Sequence, residues 1–156
     1  MKQKGFTLIE LLVVISILSI VMSFAAPSFL NTLKNSRMRS SEGELLTAFK
    51  YARTEAIRTG QTTSVSATDD SITSNEWGSG LSVSAVTPRM LPSFNDTMTL
   101  DGTNGVSTIS YSPNGMTDLA ATFVINVCDD RTAETGRQIS ILVTGMISVN
   151  SNYTCP

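Results

Sequence analysis

Residues 4–18 read KGFTLIELLVVISIL. An apolar run begins at Phe6 and continues to Leu30, and Glu10 is its one charged side chain. Fifteen of the side chains between residues 6 and 30 are Phe, Leu, Ile or Val. They favour membrane insertion by about 5 to 9 kcal/mol, whereas one acid costs at most about 3.5 kcal/mol. The sequence therefore predicts a helix that spans one hydrocarbon core.

Two cleavage sites are open for this segment. Lys2 and Lys4 precede it, which predicts that the N-terminus stays in the cytoplasm. A secretory signal has a shorter apolar core followed by small residues, and such residues occur in SFAAPS at positions 23–28. Cleavage there would discard the apolar segment, whereas cleavage between Gly5 and Phe6 would keep it.

Glu10 is the unexpected residue, because a carboxylate inside a membrane is expensive and indicates a function. If the chain is cut after Gly5, the new α-amine of Phe6 lies about one helical turn from Glu10. Between packed copies, Glu10 would instead neutralise the amine of a neighbour. The alternative is a helix end at the lipid headgroups, with Glu10 in water.

Residues 4–18 closely resemble the class III leader and N-terminal helix of type IV prepilins and type II secretion pseudopilins. The resemblance implies that a dedicated peptidase cuts after Gly5 and N-methylates Phe6, and that Thr7 and Glu10 serve filament assembly. It implies a single-pass inner-membrane precursor with a periplasmic C-terminal domain, which later enters a pilus filament. The implied partners are major and minor pilin subunits, the peptidase/N-methyltransferase and the inner-membrane assembly platform.

The helix is predicted to continue past the membrane. Pro27 removes a backbone donor, which predicts a bend or weak turn near residues 23–27, and the family implies that a proline here lets the helix curve or locally melt. Residues 31–60 then form an amphipathic continuation that Gly60 ends. Its apolar stripe, widened by Leu46 and Ile57, consists of Met38, Leu45, Phe49, Ala52 and Ala56.

Residues 61–156 are predicted to form an antiparallel β domain. Six short alternating runs, from TTSVSA to MISVN, follow Gly60, and SPNGM and Thr144-Gly145 predict tight turns. Residues 68–80 and 128–137 are predicted to be exposed loops. The predicted fold class is therefore α+β, with a cleaved leader at residues 1–5, a membrane helix at residues 6–30 and an amphipathic spine packed against the sheet.

Cys128 and Cys155 are the two cysteines of a chain with an export-like N-terminus. They are predicted to form one disulfide that pins the C-terminal tail, rather than two free thiols. The sequence has no histidine, which removes the usual general base and the commonest metal ligand. Neither Asp69-Asp70 nor Asp129-Asp130 has the spaced ligands of a calcium loop, so no enzyme activity, cofactor or metal is predicted.

Residues 45–65, LLTAFKYARTEAIRTGQTTSV, resemble the GspH/FimT group of minor pilins and pseudopilins, which includes FimU-type pilins. The late cysteine pair and the final hairpin, GRQISILVTGMISV, fit the same group. The resemblance implies a low-abundance subunit near the filament tip that primes assembly. The alternative is a minor pseudopilin of a type II secretion system.

Nucleic-acid binding is not predicted. Some FimT-type proteins capture DNA with a Gly-Arg-x-Arg motif, but the matching stretch here is Gly145-Met146-Ile147-Ser148, without either arginine. Residues 59–156 contain three basic and nine acidic side chains, a net charge of −6. Phosphate binding depends on Lys and Arg, so this acidic body is unsuited to it.

Overall fold

One long helix runs through both compact units of the chain. The structure is a computed structural model that describes residues 6–69, 75–94, 96–131 and 133–156. The first unit ends at Ser36 and the second comprises Arg37–Pro156. Helix α1 (Leu8–Thr59) ends where the sequence predicts, because the Gly60 N–H donates to the Ala56 carbonyl at 3.0 Å with a φ of 67° at Gly60. Glycine adopts this left-handed cap without steric cost.

In the second unit α1 buries one stripe of side chains, as predicted. The five predicted positions are all buried, namely Met38, Leu45, Phe49, Ala52 and Ala56. Leu46 is partly buried against this stripe, but Ile57 remains 53% exposed and does not widen it. Ser41, Ala48 and Glu55 are also buried on α1.

Eight strands follow within the described residues, and all neighbouring strands are antiparallel. They are β1 (Thr63–Ala67), β2 (Leu81–Ser84), β3 (Arg89–Leu91), β4 (Met98–Gly102), β5 (Thr108–Tyr111), β6 (Phe123–Asp129), β7 (Thr135–Ile141) and β8 (Ile147–Thr154). The predicted α+β class is confirmed. The strands are divided between two sheets, with orders β3-β2-β1-β5 and β4-β6-β7-β8, and strands β3 and β4 were absent from the sequence prediction.

Residues 68–80 are only partly the exposed loop that the sequence predicts, and residues 70–74 lie outside the described residues. Residues Glu76–Ser79 form a 3₁₀ turn that places Trp77 at 0% exposure in the core. The Trp77 ring packs between Phe49 and Phe123 at centroid distances of 5.4 and 5.9 Å, and its indole N–H donates to the Val106 carbonyl at 3.0 Å. The prediction is wrong for Trp77 because a large aromatic ring with a hydrogen-bond partner is more stable in the core than in water.

The two predicted turns are confirmed, and they pack against each other. In each, a glycine N–H donates to a carbonyl three residues earlier at 2.8 Å, and Gly115 and Gly145 have φ values of 78° and 75°. The loop at Gly145 contains three residues rather than two. Arg53 joins α1 to both turns, because its Nε donates to the Gly115 carbonyl at 3.1 Å and its Nη2 to the Thr144 carbonyl at 3.4 Å.

The crowding at Gly145 yields a prediction about stability. A Cβ atom there would overlap the Gly115 carbonyl oxygen, whereas a Cβ on Gly60, which has a similar φ, would meet nothing within 4 Å. We expect Gly60→Ala to lower the free energy of unfolding by about 1 kcal/mol and Gly145→Ala by about 2 to 5 kcal/mol, because only the second adds overpacking to backbone strain. Denaturant unfolding of a chain truncated before residue 31 measures both, and equal losses would contradict the packed turns.

Candidate functional site

The first turn of α1 is closed by reciprocal hydrogen bonds between Thr7 and Glu10. The Thr7 backbone N–H and hydroxyl donate to Glu10 Oε2 at 2.8 and 2.9 Å, and the Glu10 N–H donates to Thr7 Oγ1 at 3.3 Å. This is a capping box, in which Thr7 is the N-cap and Glu10 the third helical residue. It satisfies two of the amide groups that a helix start otherwise leaves without a partner.

Sequence reasoning placed Thr7 and Glu10 at the same site but missed how they are joined. The signal was present, since Thr-Leu-Ile-Glu matches the Thr-x-x-Glu pattern of a capping box. The box holds the carboxylate at the positive end of the helix dipole, where a negative charge is stabilised. Glu10 is therefore a fixed acceptor at the start of the helix rather than a mobile charge.

The apolar surface that follows has no cover within the described chain. Every side chain from residue 6 to residue 33 is exposed, including Leu8 at 81% and Phe24 at 77%. By length and composition, α1 is the one described helix that could cross a membrane. So large an apolar surface is unstable in water, so it requires lipid or other polypeptides.

Four hydroxyl groups within this apolar surface are satisfied inside the helix. Ser16, Ser19, Ser23 and Thr32 each donate to a carbonyl three or four residues earlier, at distances between 2.7 and 3.0 Å. These bonds make the hydroxyls compatible with a medium that offers no water. Glu10 is the one charged side chain of residues 6–33.

The other predicted residues of the N-terminal segment are Pro27, Phe6 and Gly5, and the two that the structure describes do not take part in the capping box. Pro27 lies inside α1, which stays helical on both sides of it, and the predicted bend remains a prediction. Phe6 is 90% exposed and precedes the helix. Gly5 lies outside the described residues.

The predicted disulfide between Cys128 and Cys155 is confirmed. It joins β6 to the residue after β8, with a Cα–Cα distance of 5.9 Å, and the Cys155 N–H donates to the Glu134 carbonyl at 3.0 Å. Gly136 makes room for the bridge, because a Cβ there would overlap the Cys155 sulfur and lie 3.1 Å from the Cys128 sulfur. The bridge pins the C-terminal tail to the second sheet.

Ion pairs neutralise several charges of the second unit. Arg137 on β7 pairs with Glu42 on α1 at 2.6 Å, and Arg131 pairs with Asp129 at 2.6 Å. In the last turn of α1, the hydrogen bond from Arg58 holds the pKa of Glu55 below its ordinary value. These pairs fasten the helix to the sheet and close a loop, and each leaves less free positive charge on the surface.

Among the described residues, the titratable groups with displaced pKa values lie on several elements of the fold. Burial raises the pKa of Tyr111 to about 12, and burial together with the neighbouring Glu76 raises the pKa of Asp101. Within the described residues, no group of three His, Cys, Asp or Glu side chains could hold a metal ion. The arrangement that stands out chemically is therefore the apolar helix with its capped carboxylate.

Two family models match this chain, one over the globular unit and one over the N-terminal segment. The family model for type II transport protein GspH matches residues 43–145, and the model for the prokaryotic N-terminal methylation motif matches residues 1–26. The chain belongs to the GspH family of pilin-like proteins. Cys128 and strand β7 lie within the match to the GspH model, whereas strand β8 and Cys155 follow it.

Related pilins extend this assignment. The type IV major alpha-pilin of Moraxella bovis is 36% identical to this GspH-family chain over 110 residues, 69% of the chain and 67% of that pilin. A crystal structure of the Pseudomonas aeruginosa PAO1 type IV minor pilin FimU (space group P21) has a TM-score of 0.67 and 25% identity, covering 78% of this chain and 94% of FimU. A second FimU crystal form (P65), at 23% identity and a TM-score of 0.61, covers 74% and 95% and shows the same fold. Pilins of this fold are structural subunits.

The disulfide yields a prediction for this GspH-family domain. The bridge closes a loop of 27 residues, so replacing both cysteines by serine should lower the free energy of unfolding by about 3 to 4 kcal/mol. Denaturant unfolding of the chain truncated before residue 31 measures the loss. Wild-type protein under reductant is the matched control and should unfold like the double variant. A wild-type protein that is indifferent to reductant would contradict the structural role of the bridge.

Proposed function

We propose that this GspH-family chain is a minor pilin, a structural subunit that primes assembly of a type IV pilus and lies near its tip. The observation that carries the proposal is the apolar helix of residues 6–33, exposed along its length and capped by one carboxylate. Lipid covers this surface before assembly, and neighbouring helices cover it in the filament. Helix packing of this kind tolerates apolar surfaces that water does not.

Processing begins at the peptide bond between Gly5 and Phe6. A prepilin peptidase removes residues 1–5 and N-methylates Phe6, which leaves the apolar helix on the mature chain. The match of residues 1–26 to the N-terminal methylation motif supports this step. In the mature chain Phe6 carries an α-amine adjacent to Thr7, the residue that Glu10 binds.

Glu10 then acts in assembly through its charge. The capping box fixes the carboxylate at the helix start, so it is oriented before a second subunit arrives. In the filament it neutralises the amine of a neighbouring Phe6, because a charge in an apolar core needs a partner. Thr7 contributes by holding the carboxylate in place.

Each segment of the mature chain has its own role in this proposal. Residues 6–30 cross the inner membrane with the N-terminus in the cytoplasm, residues 31–60 continue the helix, and residues 61–156 form the periplasmic domain. Pro27 lacks the N–H that would bind the carbonyl of residue 23, so this turn is the weakest of the helix and yields during packing. The assembly platform of the inner membrane moves the subunit into the filament.

A minor pseudopilin of a type II secretion system is the alternative. The GspH family model supports it, whereas the coverage of 94% of the minor pilin FimU supports a pilus. Capture of DNA has less support. Two of the three arginines of residues 59–156 are held by acids, and the third, Arg89, stacks over the Tyr51 ring at 4.2 Å.

Deletion of the gene distinguishes these functions when piliation, protein secretion and transformation are scored in the same strain. A tip-priming minor pilin predicts loss of surface pili that expression of the chain restores, with secretion intact. Loss of secretion with normal piliation would identify the pseudopilin, and loss of DNA uptake with normal piliation would identify the DNA-capturing pilin.

Substitutions at Glu10 separate charge from capping. Glutamine preserves the acceptor of the capping box, whereas valine removes both acceptor and charge. If charge pairing drives assembly, both Glu10→Gln and Glu10→Val should insert into the membrane but fall by about tenfold or more in the sheared filament fraction. Immunoblots of membrane and filament fractions measure this.

Other outcomes for the two variants would contradict charge pairing by Glu10. If Glu10→Gln assembles normally and Glu10→Val does not, Glu10 serves only as a helix cap. If both assemble normally, Glu10 is a solvated helix end, and the assembly role is wrong.

A further inference from the structure

The two sheets have four outer edges, and the edge at β4 is closed by side chains. The Leu100 N–H donates to Asn75 Oδ1 at 2.7 Å, and the Gly102 N–H donates to Glu76 Oε2 at 3.4 Å. Asn75 Nδ2 donates in return to the Met98 carbonyl at 3.5 Å. The 3₁₀ segment thus replaces a neighbouring strand, and β4 cannot receive another.

The two edges of the first sheet are also protected. At β5 the Ser110 N–H donates to Asp118 Oδ1 at 2.9 Å, and the Asp118 N–H donates to the Ser110 carbonyl at 3.1 Å. At the other edge, β3 is three residues long, begins with Arg89 and is flanked by Pro88 and Pro92. Short length, charge and proline are the means by which proteins prevent strand addition.

Strand β8 carries none of these protections over its first half. It is eight residues long, its sequence ISVNSNYT contains no charge and no proline, and no described strand pairs with its outer side. Most of its residues are exposed. An unprotected strand edge attracts other strands. Because the other three edges are protected, the free edge of β8 is suited to bind a strand of another chain.

The register identifies the main-chain groups that face outward. The Leu142 N–H donates to the Met146 carbonyl at 2.9 Å, and hydrogen-bonded pairs alternate in an antiparallel ladder. Since Ile141 lies opposite Ile147 and Ile139 opposite Val149, the N–H and C=O groups of Ile147 and Val149 point away from β7. Among the described residues, none of these four groups is given a hydrogen-bond partner.

The free run ends after residue 150. A register shift occurs opposite Gly136 and Gln138, and the Asn152 N–H is already bound by Asn150 Oδ1 at 3.0 Å. A bulge with a satisfied amide no longer offers a regular ladder. The available edge is therefore residues 147–150.

We propose that residues 147–150 of β8 dock an edge strand of a different subunit of the same filament by main-chain hydrogen bonding. This inference rests on the proposed function, since it assumes co-assembling subunits. Strand addition to an exposed edge is a general mode of recognition. The free edge carries no charge, and Val149 on its core side is 38% exposed, so the fitting strand is uncharged and places an apolar side chain beside Val149.

A second copy of this chain does not fit the edge. Antiparallel pairing of β8 with another β8 requires a two-fold axis perpendicular to the sheet. Residues 37–59 of α1 pack on the face of the sheets, so this rotation would reverse the direction of the helix. A two-fold pairing of this kind is isologous, whereas the subunits of a filament repeat head to tail and keep residues 37–59 parallel, which excludes that pairing.

The test is photo-cross-linking in cells that assemble filaments from the full chain. A benzophenone amino acid replaces the exposed Ser148, and the adduct in the sheared filament fraction is identified by mass spectrometry. We expect an adduct with an edge strand of a different filament subunit. In the same background, Val149→Pro removes one outward N–H at an edge position that tolerates proline, whereas Val149→Thr keeps it. We expect about a tenfold loss of adduct for Val149→Pro and less than about twofold for Val149→Thr.

Several outcomes would overturn the proposal. These are an adduct with a second copy alone, no adduct, an undiminished adduct in Val149→Pro, or equal losses in the two variants. If Val149→Pro unfolds, as its melting temperature would reveal, hydrogen exchange of wild-type protein decides instead. The Ile147 and Val149 amides should exchange at least about tenfold more slowly in filaments than in detergent, and equal rates would refute strand docking.

Failure here is distinct from failure of the proposed function. Filament incorporation that depends on Glu10 but leaves β8 without an adduct would refute only the docking edge. Absence of the wild-type chain from filaments would refute the proposed function itself.

Discussion

Helix α1 carries two apolar surfaces, and the chain covers only one of them. Residues 38–56 bury a stripe against both sheets, with Phe49 packed on Trp77 and Arg53 bound to two turns. Residues 6–33 remain exposed, and the hydroxyl groups of Ser16, Ser19, Ser23 and Thr32 donate to carbonyls of the helix itself. The covered surface folds the globular unit, whereas the uncovered one obliges the chain to enter a membrane or an assembly. Every functional inference drawn from this structure depends on that division.

Most of this division could be predicted from residue patterns, because period and composition encode it directly. The apolar run, the stripe at Met38, Leu45 and Phe49, the stop at Gly60 and the cysteine pair all follow from local rules. The capping box also follows from a local rule, because Thr7 and Glu10 match the Thr-x-x-Glu pattern. The contact with Thr7 is compatible with the proposed role of Glu10 in assembly.

The rest depends on contacts between distant residues. Trp77 lies in a polar stretch, and it is buried against Phe49 and Phe123, which are distant from it in the sequence. Strand β4, MTLDG, has a weak strand pattern and is held by β6 and by the side chains of Asn75 and Glu76. Strand β3 is too short to be recognised between two prolines. The division into two sheets and the unprotected edge that β8 shows among the described strands likewise follow from tertiary pairing. Patterns in one sequence do not reveal such pairing.

An exposed apolar segment and a globular unit whose strand β8 has a free edge among the described residues suit the proposed subunit, which inserts, packs and then docks a neighbour. The proposed function requires that residues 6–33 stay on the chain and enter a filament. The most direct measurement is the intact mass of the chain recovered from sheared, purified filaments. We expect a chain that begins at N-methylated Phe6. Absence of the chain from filaments, or a mature chain that begins beyond the apolar segment, would contradict the proposed function.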